Sequence, residues 1–425
     1  MDRRQRLEAF RQLKSEVRGS EMYLLVGIDV AKDRHHAFFG TPNGKTISKR
    51  LTFDNNKNGF ESMRNKARDF LGQNGLSKAV YGIEPTSRYH KPLAEYLICQ
   101  GEDVVYVSNV AVKRNRELLD GRWDKNDKKD AANVADLVGQ GKCQYYEMPD
   151  DNVTQLRSLL ALRMQMRRQE HALRMRIRNN LVAQYFPEMD RHYKATDDLI
   201  LSIVKDCLDP KEIAQMDFGT FMQRIAYRRC GRLQQKKAHA IWEAAKDSVG
   251  CDVTASVQWE AQSLVAQLKG VRETMTENDR RIKVISKRIP EYKYLLSIPG
   301  FGPTVSAIFL AAIGNACHFE DRRQVLRLAG FDLCASRSGK KSEQAKPVIS
   351  KQGKASLRYA LVQAAIVSSH SDATIRAYFG RLIKGRELER GIKMKMKIKL
   401  AAKLAVIAWT LMKRKEVFDP SHFSR

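Results

Sequence analysis

No run of about 18 apolar residues occurs in the chain, so no segment has the length and hydrophobicity of a membrane span. Cysteine is sparse: Cys99, Cys143, Cys207, Cys230, Cys251, Cys317 and Cys334. The odd number, the wide spacing and the lack of any C-x-x-C pair argue against a disulfide framework and a zinc ribbon, and suit a reducing cytoplasm. The histidines show no metal-ligand spacing. Their one tight pair, His35-His36, falls on a strand-like stretch where neighbours point to opposite faces. The opening, MDRRQRLEAFRQLKSEVRGS, has no apolar segment and reads as a short basic helix or arm rather than a secretory signal. No internal repeat or low-complexity tract is present. Acidic residues are also short: 48 Asp and Glu against 76 Lys and Arg leave a formal charge of +28. That excess predicts a polyanionic partner, nucleic acid foremost.

What is present suffices for packed cores: 43% of the 425 residues are hydrophobic, and the length suits two or three domains. After the arm (1–21), residues 22–150 read as a mixed α/β layer. Strands are expected at Tyr23–Ile28, His36–Phe39, Thr46–Phe53, Ala79–Ile83 and Val104–Val107, with the turn Thr41-Pro-Asn-Gly44 inside the opening meander and helices at 58–73 and 89–100. Three strands followed by alternating helix and strand suit a ribonuclease-H-like topology. Residues 151–290 are helical. The first half is an Arg-rich amphipathic helix ended by Pro187. The second carries Val257, Ala261, Leu264, Leu268, Val271, Met275, Asn278, Ile282, Ile285 and Ile289 at alternating spacings of four and three. This heptad seam predicts a coiled coil, within one chain or between two, with Asn278 as its polar position. Residues 190–250 look helical and carry no sharp motif. The last part, 291–425, is helical, Gly-punctuated and basic. The fold class is therefore α/β plus all-α.

Four carboxylates stand out. Asp29 ends the first strand, and Glu84 ends the strand at 79–83. Asp127 and Asp130 are three apart at a helix start, hence on one face. Together they would repel unless a divalent cation held them, and oxygen ligands favour Mg²⁺ or Mn²⁺. Each also has an ordinary reading, as a turn residue or as a carboxylate favoured at a helix N-terminus.

The pattern Gly27-Ile-Asp-Val-Ala-Lys32, Gly82-Ile-Glu-Pro-Thr86 and Lys125-Asn-Asp-Lys-Lys-Asp-Ala131 resembles the DEDD transposases of the bacterial IS-one-ten insertion-sequence group, relatives of the Piv DNA invertase. So do Leu296-Ser-Ile-Pro-Gly-Phe-Gly-Pro303, Leu328-Ala-Gly-Phe331, Ser338-Gly339, Ile349-Ser-Lys-Gln-Gly353 and Leu357-Arg-Tyr-Ala-Leu361. Two departures accompany the match: Asn126 stands where a small hydroxyl residue is usual, and the middle region is longer than in compact members. The resemblance implies a RuvC-like N-terminal domain with its acidic tetrad at Asp29, Glu84, Asp127 and Asp130, and a C-terminal transposase domain with a nucleophilic serine at Ser338. It further implies recombination of element ends with target DNA, guidance by a structured bridge RNA, and homodimers that pair into tetramers.

A serine is a weak nucleophile until it is oriented. Around Ser338, Arg337, Lys340 and Lys341 suit a scissile phosphate; Ser336, Ser342 and Ser350 are its rivals. Gly300 and Gly302 either let backbone N–H groups approach a phosphate or form a plain helix–helix turn. Lys351 joins this nucleic-acid-binding set. Lys393, Lys395, Lys397 and Lys399 alternate like a strand face yet precede an apolar helix. The expected activity is a transposase or DNA recombinase acting on DNA in the cytoplasm, at the nucleoid. The alternative is a metal-dependent, structure-specific nuclease that uses water. A nucleic-acid scaffold and an actin-like sugar kinase rank below these.

Overall fold

The computed structural model describes residues 3–85, 87–120, 127–145, 150–192, 198–225, 231–334 and 348–423. They fall into two compact units, Met1–Pro149 and Asp150–Arg425.

In the first unit the elements are α1 (Arg3–Val17), β1 (Tyr23–Asp29), β2 (Arg34–Gly40), β3 (Thr46–Asp54), α2 (Lys57–Gln73), β4 (Lys78–Ile83), α3 (His90–Cys99), β5 (Asp103–Tyr106), α4 (Asn109–Asp120), α5 (Asp127–Gly139) and β6 (Gln144–Tyr145). The sheet order is β3-β2-β1-β4-β5-β6. The β1–β2 and β2–β3 pairs are antiparallel, β1–β4 and β4–β5 are parallel, and β5–β6 is antiparallel. This mixed sheet is consistent with the RuvC-like expectation; the two-residue strand β6 adds to it.

Alternation along the strands builds two cores. Leu24, Val26, Ile28, Tyr81 and Ile83 face α2 and α3, where Phe60, Met63, Leu93 and Leu97 meet them. Leu25, Val80 and Val105 face the other way, onto Val134, Ala135 and Val138 of α5. Phe10 and Val17 of α1 join this second core, so the basic opening segment is a helix docked on the domain.

The second unit contains α6 (Asp151–Arg176), a π-helical turn (Ile177–Val182), α7 (Ala183–Tyr185), α8 (Asp198–Asp206), α9 (Pro210–Ala214), α10 (Phe218–Arg224), α11 (Arg232–Lys246), α12 (Ala255–Lys287), α13 (Tyr292–Leu296), α14 (Pro303–Ile313), α15 (Arg322–Ala329), β7 (Leu333–Cys334), β8 (Val348–Ile349), α16 (Ala355–Ser371), α17 (Ala373–Ile383) and α18 (Ile392–Arg414). Its axis is an antiparallel pair, α6 against α12. Arg163 pairs with Asp279, Glu170 with Arg272, and Arg176 with Glu260, so numbers rise along one helix as they fall along the other. The heptad seam is thus covered within the chain: Ala261, Leu264, Leu268, Ile282 and Ile285 are buried, and Asn278 donates from Nδ2 to the Leu159 carbonyl at 3.2 Å.

A core sits at each end of this pair. One gathers Val153, Leu156, Ile282 and Ile285 with Leu295, Phe309, Leu361 and Leu404, and so runs across residue 290. The other gathers Ile177, Phe186, Leu199, Ile203, Phe221 and Ile241 against Val265 and Leu268. Residues 190–250 therefore belong to a helical head. The head region, 177–268, holds twelve Lys and Arg and twelve Asp and Glu, whereas 269–425 holds thirty-two against thirteen. The positive charge of this unit is concentrated away from the head.

Candidate active site

β1 and β4 are neighbouring parallel strands with Gly27 opposite Gly82 and Ile28 opposite Ile83. The next residues are Asp29 and Glu84, and the Glu84 amide donates to the Ile28 carbonyl at 3.4 Å. The two carboxylates therefore leave adjacent strands at the same edge. Because side chains alternate, both lie on the face shared by Leu25, Gly27, Val80 and Gly82, which α5 covers.

The two Gly-Ile-acid sequences explain how α5 lies there. A Cβ on Gly27 would meet the Ala131 carbonyl oxygen at 2.0 Å and the Ala135 nitrogen at 2.6 Å. A Cβ on Gly82 would meet Val138 Cγ2 at 2.6 Å. Glycine in both strands lets the helix backbone press on the sheet. With Gly139 over Leu25 and Ala131 over Gly27, α5 runs antiparallel to β1, so its first turn lies toward the Asp29 end of the strand. That turn begins at Asp127 and contains Asp130. The Asp127 side chain lies outside the described residues. Asp130 is 3% exposed and pairs with Arg116 of α4, Nη2 to Oδ1, at 2.5 Å.

Buried amides hold α4 to α5. Asn115 donates from Nδ2 to Asn133 Oδ1 at 2.6 Å and to Asp136 Oδ2 at 2.7 Å, and Asn133 donates to the Val112 carbonyl at 2.8 Å. Neither these amides nor Arg116 stood out in the sequence, where each is an ordinary polar residue of a helix.

Among the described residues, no group of three or more His, Cys, Asp or Glu side chains is arranged to hold a metal. The chemistry of the donors at the sheet edge nevertheless suits Mg²⁺, which is usually held by one or two carboxylates plus substrate phosphates rather than by an all-protein cage. Asp29 and Glu84 supply such a pair.

In the second unit, Gly300 has φ +84° and a Cβ there would meet the Ala364 carbonyl oxygen at 2.5 Å, so this glycine serves close packing of the turn on α16. Gly302 caps α14 and has open space at its Cβ position. Lys351 is exposed with φ +56°, and its carbonyl accepts from Arg358 Nη1 at 3.2 Å. Just before it, Ser350 Oγ donates to Asp332 Oδ1 at 2.5 Å. Ser338, Arg337, Lys340 and Lys341 lie outside the described residues. The strands on either side, β7 and β8, pair through Leu333 with Ile349 and Cys334 with Val348. Lys393, Lys395, Lys397 and Lys399 lie on α18, where helical rotation spreads them around the first turns.

Two segments of the chain match transposase family models. Residues 26–187 match the DEDD transposase model of the IS110 type, and residues 292–380 match the transposase family IS116/IS110/IS902. With both segments in order, the chain is similar to the IS110/IS116 group of DEDD transposases. It is 22% identical over 365 residues to the insertion element IS110 uncharacterized 43.6 kDa protein of Streptomyces coelicolor, covering 84% of this chain and 87% of that one. It is 23% identical over 320 residues to the insertion element IS116 uncharacterized 44.8 kDa protein of Streptomyces clavuligerus, covering 75% and 78%.

Proposed function

We propose that the protein cuts and rejoins DNA strands through a phosphoserine at Ser338, using a Mg²⁺-dependent site made by Asp29, Glu84, Asp127 and Asp130. The observation that carries this reading is the docking of α5 on Gly27 and Gly82, beside the strand ends that bear Asp29 and Glu84. The carboxylates would hold Mg²⁺ against phosphate oxygens. Bound there, the ion supplies charge stabilisation as the phosphodiester is attacked. Arg116 places a positive charge against the buried carboxylate of Asp130, which would otherwise be an unpaired buried charge.

The serine hydroxyl attacks phosphorus, forming the Oγ–P bond and breaking the bond to the 3′-oxygen, which leaves as a hydroxyl after gaining a proton. A 3′-hydroxyl of the partner strand then attacks the phosphoserine and releases Ser338. Bond energy is conserved in the ester, so no nucleotide cofactor is consumed. The paired strands β7 and β8, the Asp332–Ser350 hydrogen bond and the Arg358 contact to Lys351 support a fixed base for the segment that carries Ser338. In this reading Arg337, Lys340, Lys341 and Lys351 take phosphates. A structured RNA encoded by the element supplies the target choice, and homodimers that pair into tetramers bring the two ends together.

The test is strand cleavage in Mg²⁺ by Asp29→Asn and Glu84→Gln. Both are expected to lose cleavage and to keep nucleic-acid affinity within about threefold, a change below 1 kcal/mol. Cleavage at the wild-type rate by either variant would overturn the site.

A further inference from the structure

The first unit holds a second concave site that none of the four carboxylates lines. It is a cavity of about 680 Å³ between β2, the turn after it and the outer side of α5. Its floor is apolar, made by Leu25, Phe38 and Pro42. Gly40 leaves room for the aromatic ring: a Cβ there would stand 2.8 Å from Phe38 Cε1. The wall is a closed turn, in which the Thr41 amide donates to the Lys45 carbonyl at 2.9 Å and the Gly44 amide donates to the Thr41 carbonyl at 3.0 Å.

The charges around the cavity are unevenly placed. Arg18, Lys45 and Lys142 line it, are exposed, and form no ion pair among the described residues. Arg116, already paired with Asp130, also lines it, and so does one carboxylate, Asp136. Asp136 is oriented by Asn115 Nδ2 at 2.7 Å and Gln140 Nε2 at 2.8 Å, both donating to Oδ2. Its Oδ1 has no hydrogen bond among the described residues and is left as an acceptor.

Three unpaired cations at a rim attract a phosphate or similar anion. A bare anion has no use for an apolar floor, and an acyl chain would have to desolvate Asp136. A flat ring bearing N–H donors satisfies both the floor and the acceptor. Cavities of about 300–1,000 Å³ are the usual size for such ligands. We propose that this cavity binds a nucleotide, its base against Phe38 and Pro42 with an amino group on Asp136 Oδ1, and its phosphate on Lys45, Lys142 and Arg18. The nucleotide is either free or one residue turned out of a strand.

The experiment uses the full chain. AMP, GMP and inorganic phosphate are titrated by calorimetry, and a single-stranded DNA carrying one 2-aminopurine is followed by fluorescence. The variants are Lys45→Glu with Lys142→Glu, at the exposed rim, and Phe38→Leu on the floor. Asp29→Asn serves as a control that disables the proposed cleavage site alone. Saturable binding of AMP or GMP, weakened on the order of tenfold or more by the rim pair and unchanged by Asp29→Asn, supports a free nucleotide. A 2-aminopurine fluorescence change lost in the rim pair and in Phe38→Leu supports a nucleotide within a strand. The inference is overturned if neither probe responds, if the responses survive the rim pair, or if inorganic phosphate competes as well as the nucleotides do. None of these outcomes depends on cleavage.

Discussion

Adding one methyl group at Gly27 should disable the carboxylate site without touching a carboxylate. In Gly27→Ala the new Cβ would stand 2.0 Å from the Ala131 carbonyl oxygen, 2.6 Å from the Ala135 nitrogen and 2.9 Å from Ala135 Cβ. Real Cβ contacts below 3.0 Å essentially never occur. The two closest obstacles are helix backbone, which no side-chain rotation can clear, so α5 must withdraw by at least about 1 Å. Overpacking of this kind costs about 1–3 kcal/mol, with the upper end expected where the clash is backbone on backbone. Because α5 begins at Asp127 and contains Asp130, the same withdrawal displaces that turn from Asp29. A misplacement of about 1 Å at a reacting centre can cost about a hundredfold in rate. The assay pairs urea melts with Mg²⁺-dependent strand cleavage. Gly72→Ala is the control: a Cβ there meets nothing within 4 Å, and alanine in a helix should stabilise by about 0.5–1 kcal/mol. If Gly27→Ala were as stable and as active as wild type, the docking of α5 on Gly27 would not position the site.

Asn278→Leu should leave stability unchanged or raise it by about 1 kcal/mol in urea melts, since Asn278 is 3% exposed and its Oδ1 is buried without a hydrogen bond; a large loss would mean that the single bond to Leu159 outweighs the buried oxygen. Burial against Phe53 and Phe60 pushes the His35 imidazole below its ordinary value of 6.5. The unfolded chain therefore takes up the proton first, so the contribution is intact above about pH 6.5 and is lost as pH falls through that value toward the depressed folded one. Urea midpoints should drop between neutral pH and about pH 5, and His35→Asn should flatten the drop; an unchanged slope would exclude His35 as its source. Replacing Lys393, Lys395, Lys397 and Lys399 by Ala should lower the slope of log affinity against log salt by about 0.7–0.9 for each phosphate no longer neutralised. An unchanged slope would assign these lysines to solvent.

What the sequence disclosed followed physical period. The strands of the first unit were legible because apolar runs such as Leu24–Ile28 and Ala79–Ile83 each end at an acid, Asp29 and Glu84. The seam of α12 was legible because its spacing persists over many turns, but spacing alone does not say which surface covers it; α6, the head helices and the C-terminal helices of the same chain share it. Residues 190–250 were legible as helical, but their assembly into a head was not, because α8, α9 and α10 are five to nine residues each, too short for a helical period to mark their packing faces. At the site, Gly27 and Gly82 lay inside the motifs, yet their purpose shows only when Ala131 and Val138 are seen against them. Arg116 and the Asn115–Asn133 pair left no signal, since contacts between α4 and α5 have no signature in either helix alone. Lys393–Lys399 invited a strand reading because a period of two in four lysines is easily confused with helical scatter.

Attack by Ser338 on DNA leaves a covalent protein–DNA intermediate, which denaturing conditions would trap. Wild-type protein incubated with Mg²⁺, element-end DNA and the element's RNA should carry a DNA strand covalently, and peptide mapping should place the adduct on Ser338. Ser338→Ala should form no adduct and exchange no strands while binding RNA and DNA as wild type does. Strand exchange by the alanine variant, or an adduct mapped to Ser336 or Ser342, would exclude Ser338 as the nucleophile; cleavage without any adduct would point to water.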